Sequence, residues 1–247
     1  MRLLLATLTA AAIALVPISE AAAYADPGAS PAGATRAERP APRLRGLERE
    51  LRRLHCEPGR VDGRINARTR AAVYRLQTRH GLVPSGKLTR ATRALLRGGY
   101  GMRCDRRPLP RGSGKGRGTR LVVSQHQNWV WLVRGRRVVG QAPMIDNPRL
   151  LRPGTYATGS YCGRPARVRH NIDLHHRYWL DHFVRFAPCG FAFHRIPRWR
   201  TTGRQLHPDW WLGTDKDLSD GCIRLSAGMA ERVWRFTAGR RTTVRVV

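Results

Sequence analysis

Apolar positions follow two different spacings along this chain of 247 residues, and the change of spacing divides it into two regions. Between residues 44 and 54, leucines recur every three or four positions, which predicts an amphipathic helix. A second helix is predicted from Asn66, a favourable N-cap, to Gly81, and a third from Thr89 to Gly98. Three short helices joined by tight loops predict a small bundle.

From residue 119 onward, short β-branched and aromatic runs replace the helical spacing and predict strands. The clearest runs lie at 121–123 and 129–133, and an Arg-Gly-Arg turn at 134–136 predicts a hairpin. One late helix is predicted from Ser226 to Gly239. These signals predict a mainly β domain with a late helix, joined to a small three-helix bundle.

The chain opens with the pattern of an export signal. Arg2 precedes an apolar run at 3–16, Pro17 interrupts the run, and small-x-small cleavage sites follow. We therefore predict a signal peptide at 1–25 and no integral membrane segment after its cleavage. The alternative is an uncleaved anchor, although the run is shorter than the roughly 20 residues that a spanning helix needs.

Composition sets the remaining predicted boundaries. Residues 26–42 are rich in Ala, Pro, Gly and Ser, which predicts a flexible tether. Residues 105–118 combine Pro and Gly with basic side chains, which predicts a linker that is flexible toward its end. The predicted domains are therefore a helical one at 43–104 and a mainly β one at 119–247.

The formal net charge is +30, and arginine supplies almost all of the positive charge. Guanidinium groups pair bidentately with phosphate and carboxylate, which favours a polyanionic partner. Export and the lack of a recognition motif argue against nucleic acid and favour anionic polymers of the cell wall. The alternative is a biased composition with solvated arginines on every face, since no single basic block marks a binding tail.

The five cysteines suit an exported protein. Pairing Cys56 with Cys104 and Cys162 with Cys189 keeps each disulfide inside one predicted domain. This pairing leaves Cys222 alone. In an oxidising compartment an unpaired thiol is either reactive by design or a liability.

Cys222 lies in a Ser-Asp-Gly-Cys-Ile-Arg segment at 219–224, which predicts a nucleophile on a sharp turn. A thiol with a pKa of about 8.5 is mostly protonated at neutral pH, so acyl-transfer chemistry needs a neighbouring base. His194, on a predicted strand, is the candidate base. Gly221 is expected to let the backbone approach an incoming peptide, and Ser219 to brace the turn by hydrogen bonding.

No metal site and no cofactor are predicted. The histidines of the central region fit no zinc spacing, and no acidic general base lies among them. We expect these side chains in loops near a substrate entrance, and we assign His176 to substrate binding. The histidines in question are His170, His175, His176 and His182.

A series of short signals runs through the helical region: Val61-Asp62-Gly63, Thr69, Ala72-Val73, Leu76-Gln77, Gly81-Leu82, Gly86, Thr92 and Leu95-Leu96. In this order they resemble the three-helix peptidoglycan-binding domain of wall-active enzymes. The chain departs from that family at Asn66, where glycine is common, and at 84–85, where an Asp-Gly turn is usual. The resemblance implies binding to peptidoglycan glycan, and a bundle used only as a spacer is the alternative.

Three motifs of the β region occur in a fixed order: Arg-Pro-Gly-Thr-Tyr at 152–156, Phe-His-Arg at 193–195, and the segment at 219–224. In this they resemble the L,D-transpeptidases of the YkuD type. The resemblance implies a β-sandwich-like fold with Cys222 at the floor of a cleft. It also implies the tetrapeptide stem of peptidoglycan as substrate, a Cys222 thioester, and oxyanion donors around Gly221.

Three more residues are assigned to the substrate side of this site. Asp220 replaces a histidine that the family often has, and its charge disfavours the neighbouring thiolate. Arg224 is expected either to hold a substrate carboxylate or to pair with an acid of the fold. Tyr156 is included by its place in the first motif, with packing in a sheet as the alternative.

The gap between His194 and Cys222 is long for the family. It contains Trp199, Trp210 and Trp211, which we interpret as an inserted lid over the cleft, with burial in the core as the alternative. The overall expectation is a secreted, wall-associated and monomeric L,D-transpeptidase whose partners are peptidoglycan stem peptides and glycan. An L,D-carboxypeptidase using the same thioester and a non-catalytic wall-binding protein remain open.

Overall fold

The computed structural model describes residues 42–114, 118–187 and 190–247. The predicted signal peptide at 1–25 and most of the predicted tether lie outside these ranges. Across the described part of the chain, the helices are too short or too polar to cross a membrane. The helices and sheets described below belong to one compact unit.

The first three helices are α1 (Pro42–Arg53), α2 (Ala67–Arg79) and α3 (Arg90–Gly98). The side chain of Asn66 caps α2 by accepting a hydrogen bond from the backbone N–H of Thr69 at 2.9 Å. The leucines that share one face of α1 pack in the bundle core. The predicted three-helix bundle is confirmed.

A buried glutamine explains several of the family signals in this bundle. The side chain of Gln77 is fully buried and donates to the carbonyl of Lys87 at 2.9 Å and the hydroxyl of Thr92 at 3.0 Å. Its amide oxygen accepts from the backbone N–H of Gly86 at 2.9 Å. Because both ends of the amide are satisfied, Gln77 fastens α2 to the loop that leads into α3.

Cys56 and Cys104 form a disulfide that links the chain after α1 to the chain after α3. Cys189 lies outside the described residues, so its pairing with Cys162 stays a prediction. Cys222 is the free cysteine of the described part of the chain.

The described residues contain ten strands: β1 (Thr119–Ser124), β2 (Trp129–Arg134), β3 (Arg137–Pro143), β4 (Gly154–Ala157), β5 (Arg167–Ile172), β6 (Tyr178–Arg185), β7 (Ala192–Arg195), β8 (Arg198–Trp199), β9 (Ile223–Leu225) and β10 (Thr243–Val246). One sheet has the order β3-β2-β1-β10-β4, with β1 and β10 parallel. The other has the order β5-β6-β7-β9, with β8 beside β6 and with β7 and β9 parallel. The predicted hairpin joins β2 to β3.

The main core is built from both sheets and helix α4 (Ala227–Phe236). Ser226 caps α4 by accepting from the backbone N–H of Met229 at 3.3 Å. The helix ends at Phe236, before the predicted Gly239, and the hydroxyl of the C-cap residue Thr237 donates to the carbonyl of Val233 at 2.9 Å. The mainly β fold with a late helix is confirmed.

The first part of the predicted linker is packed rather than flexible. Arg107 is 3% exposed and donates to the carbonyl of Gln127 at 2.7 Å and to the hydroxyl of Thr78 at 3.1 Å. Arg75 of α2 is also buried and donates to the carbonyl of Trp210 at 2.7 Å. These two guanidinium groups join the bundle to the β domain.

Candidate active site

The candidate nucleophile and base lie on neighbouring strands of the second sheet. In the parallel pair β7 and β9, Phe193 is opposite Ile223 and His194 is opposite Arg224. Phe193 and Ile223 are both buried in the core. Alternation along the strands therefore puts His194, Arg224 and Cys222 on the opposite face, where they line a cleft of about 740 Å³.

The turn before Cys222 is held by Ser219 and by the conformation of Gly221. The hydroxyl of Ser219 donates to the carbonyl of Cys222 at 2.5 Å and accepts from the backbone N–H of Gly221 at 3.1 Å. Gly221 has φ +103°, and a Cβ built on it would lie 2.3 Å from Cε1 of Phe191. A neighbour that excludes a side chain here is Phe191, and the predicted approach of a peptide to Gly221 stays a prediction.

The surroundings of the Cys222 thiol favour its protonated form. The thiol donates to the carbonyl of Gly190, with Sγ and the oxygen 3.3 Å apart. Burial raises the pKa of Cys222 to about 11. A hydrogen bond from the backbone N–H of Ala192 and the positive charges of Arg185 and Arg224 limit this rise in pKa. The resting state is therefore a thiol.

The ring of His194 is neutral and fixed in orientation. Its side chain is 3% exposed, and burial lowers its pKa to about 4. Nδ1 lies 2.5 Å from the carbonyl oxygen of Arg195. Because a carbonyl only accepts, Nδ1 carries the proton and Nε2 keeps a free lone pair. Phe183 stacks on the ring with centroids 5.9 Å apart and planes 9° apart.

Arg224 pairs with an acid of the fold, which is one of the two roles expected for it. Nη1 lies 2.8 Å from a carboxylate oxygen of Asp217 and 3.1 Å from the carbonyl oxygen of the same residue. Asp220 is exposed and forms no ion pair with any residue that the structure describes. The negative charge of Asp220 adds to the raised pKa of Cys222, as its position in the sequence suggested.

Two residues assigned to substrate binding are not brought to the cleft. Tyr156 lies on β4 of the other sheet, where its hydroxyl donates to the carbonyl of Arg152 at 2.8 Å and its ring packs against Phe186. His176 is exposed in the turn before β6, whereas its neighbours His175 and Arg177 line the cleft. Neither Tyr156 nor His176 is among the residues that line the cleft with Cys222.

The inserted segment between His194 and Cys222 docks the helical bundle. Trp211 stacks on His207 with ring centroids 5.2 Å apart, and the following Leu212 is buried beside Ile145. None of the three tryptophans lines the cleft, whereas Pro197 and Leu206 of the same segment do, so the lid interpretation stays a prediction. Within the described residues, no group of three His, Cys, Asp or Glu side chains could hold a metal ion.

Four groups around the thiol are not identified by sequence reasoning: Phe183, Arg185, Gly190 and Ala192. The sequence contains part of the information needed to find them, because Phe183 and Arg185 alternate with Val184, which faces the core. The order of the strands is also needed to place them beside Cys222, and the sequence pattern does not supply it.

Comparisons with known proteins match the helical region to a family model and the fold to several solved structures. Residues 41–96 match the sequence model of a putative peptidoglycan binding domain. The fold is similar to an L,D-transpeptidase from Xylanimonas cellulosilytica at 18% identity and TM-score 0.45, over 84% of this chain and 94% of that one. An L,D-transpeptidase from Stackebrandtia nassauensis is similar at 17% identity and TM-score 0.45, over 84% and 91% of the two chains.

A third similar structure is a fused Zn-dependent amidase/peptidase/peptidoglycan-binding domain-containing protein from Clostridium acetobutylicum. It is 14% identical with TM-score 0.40, and the match covers 83% of this chain and 94% of that one. No curated protein matches the sequence.

Proposed function

We propose that this protein is an exported, cysteine-dependent L,D-transpeptidase that cross-links the stem peptides of peptidoglycan. The observation that carries the proposal is the placement of Cys222 and His194 on one face of adjacent strands, with both side chains lining the same cleft. A neutral imidazole beside a cysteine on a braced turn is the arrangement that acyl transfer requires.

The reaction follows from the protonation states of these two groups. As Sγ of Cys222 attacks the carbonyl before the terminal D-Ala, Nε2 of His194 takes the thiol proton. The C–N bond then breaks, D-Ala leaves as an amine with that proton, and a thioester remains. An amine of a second stem attacks the thioester, and the thiol is restored.

The low pKa of His194 and the high pKa of Cys222 both favour the neutral pair before substrate binds. The proton is therefore expected to move as the C–S bond forms rather than in a stable thiolate–imidazolium pair. The backbone N–H of Gly221 is already engaged with Ser219, so the backbone N–H of Cys222 is the donor that we assign to the oxyanion.

The helical domain is proposed to hold the enzyme on its substrate by binding glycan, which is supported by the family match at 41–96. The net charge of +30 would add attraction to the phosphate and carboxylate groups of wall polymers. Export and wall association are part of this proposal.

The test is to incubate the purified full chain with tetrapeptide-bearing muropeptides and to analyse the products by mass spectrometry, with Cys222→Ala as the matched control. The proposal predicts 3→3 cross-linked dimers with the wild type and none with the variant. Release of D-Ala without dimers would reassign the protein as an L,D-carboxypeptidase. Identical products from wild type and variant would reject cysteine catalysis.

A further inference from the structure

The cleft face of the second sheet carries a row of side chains across three strands. Arg185 of β6 is opposite Ala192 of β7, and the register of β7 with β9 continues to place Ala192 opposite Cys222. Residues in one such row point to the same face. Because strands lie about 4.8 Å apart, Arg185 and Cys222 have Cα atoms about 9.5 Å apart. Ala192, whose side chain is a methyl group, lies between them in this row.

Arg185 is a buried cation without a carboxylate partner in the described residues. Its side chain is 3% exposed, donates from Nε to the carbonyl of Pro165 at 3.3 Å, and lies 5.0 Å from the ring centroid of Phe183. Arg224, the other arginine near the thiol, is already paired with Asp217. The charge of Arg185 is therefore the less neutralised of the two.

A buried charge of this kind needs an anion to offset the cost of its burial. Arg185 lines the same cleft as Cys222, and the electrostatic interaction between the guanidinium and the thiol favours the ionised sulfur. Asp220, directly before Gly221 and Cys222 in the chain, carries a negative charge that opposes ionisation of the sulfur, so cationic support must come from another residue.

We propose that Arg185 stabilises the anionic sulfur of Cys222 across Ala192, and so offsets the opposing negative charge of Asp220. This inference rests on the proposed function, since it concerns the nucleophile of that reaction. Ala192 has a definite part in it, because a larger side chain at that position would separate the guanidinium from the sulfur.

The expected size of the effect follows from the row geometry. If the Cα separation of about 9.5 Å sets the scale of the distance between the two charges, a unit charge at an effective dielectric constant of about 20 shifts a pKa by about one unit. Loss of the charge thus lowers the thiolate fraction about tenfold below the thiol pKa. Because a more basic thiolate is also a better nucleophile, the alkylation rate at fixed pH should fall about threefold.

The experiment measures the rate of alkylation of Cys222 by iodoacetamide as a function of pH in the folded full chain, with Cys222→Ser as the blank. Arg185→Gln should slow the reaction about threefold at each pH below the thiol pKa. Arg185→Lys should restore most of the rate, because it keeps the charge. Arg164→Gln removes another arginine that lines the cleft and should leave the rate unchanged.

Arg185→Met, which keeps an apolar stem over Phe183, serves as a second charge-removing variant if Arg185→Gln does not fold. An alkylation profile of a folded Arg185→Gln or Arg185→Met variant that matches the wild type would overturn the proposal. So would a Lys variant as slow as the Gln variant, which would indicate a structural role. Alkylation needs no stem peptide, so this experiment can be interpreted even if the protein does not act on the proposed substrate.

Discussion

Replacing Gly221 with alanine tests how the nucleophile turn is held. Gly221 has φ +103°, and a Cβ at this position would lie 2.3 Å from Cε1 and 2.8 Å from Cδ1 of Phe191. A non-glycine residue in such a conformation costs about 1–3 kcal/mol, and overpacking against the ring costs about 1–3 kcal/mol more. We expect Gly221→Ala to lower the free energy of unfolding by about 2–6 kcal/mol.

A double-mutant cycle separates these two contributions. Phe191→Ala removes the ring that the new methyl group would meet but leaves the backbone conformation of Gly221 unchanged. The double variant should therefore be more stable than the sum of the single effects by about 1–3 kcal/mol. Urea unfolding of the four proteins measures this coupling. If the changes in unfolding free energy of the two single variants add to that of the double variant within about 0.5 kcal/mol, Phe191 is not the reason that this turn requires glycine.

Three further predictions concern the rest of the molecule. Replacing Cys56 and Cys104 by serine should lower the unfolding free energy by about 4 kcal/mol, since the disulfide closes a loop of 48 residues. An unfolding free energy in urea equal to that of the wild type would contradict the closure of the bundle by this disulfide. Gln77→Leu should lower the free energy of unfolding by about 2–4 kcal/mol in the same assay, because it leaves buried backbone and hydroxyl groups without hydrogen-bond partners. An unchanged free energy of unfolding would contradict the hydrogen-bond network described for Gln77. Burial lowers the pKa of His194 from 6.5 to about 4, so the unfolded state binds the proton more tightly and stability should fall as pH drops from about 6.5 toward 4, by up to about 3 kcal/mol. His194→Asn should flatten that part of the stability profile, and a profile identical to the wild type would place the titration elsewhere.

Local features of this fold could be predicted from the sequence because their causes are local. Asn66 and Ser226 cap helices with their own side chains, so an N-cap residue before an apolar repeat is sufficient to find each start. The end of α4 was predicted less well. Glycine at 239 does adopt a left-handed conformation, but the helix ends earlier, at Phe236, with Thr237 as its C-cap.

Features that depend on strand order or on docking could not be predicted in this way. From the sequence, the tryptophans of the insertion are compatible with a lid and with burial in the core. In the structure, the backbone carbonyl of Trp210 accepts a hydrogen bond from Arg75 of the bundle. Arg185 is an ordinary arginine in a chain rich in arginine until β6, β7 and β9 are placed side by side. Phe191 covers Gly221 only because the chain before β7 passes over the turn before β9.

The most direct test of the central claim is the intact-protein mass of the full chain after incubation with a carbapenem, which the proposed function predicts to acylate Cys222. The account predicts that the wild type gains the mass of one inhibitor molecule, that Cys222→Ala gains none, and that His194→Gln reacts much more slowly. An unmodified wild type, or an equal gain on Cys222→Ala, would contradict the assignment of Cys222 as the nucleophile.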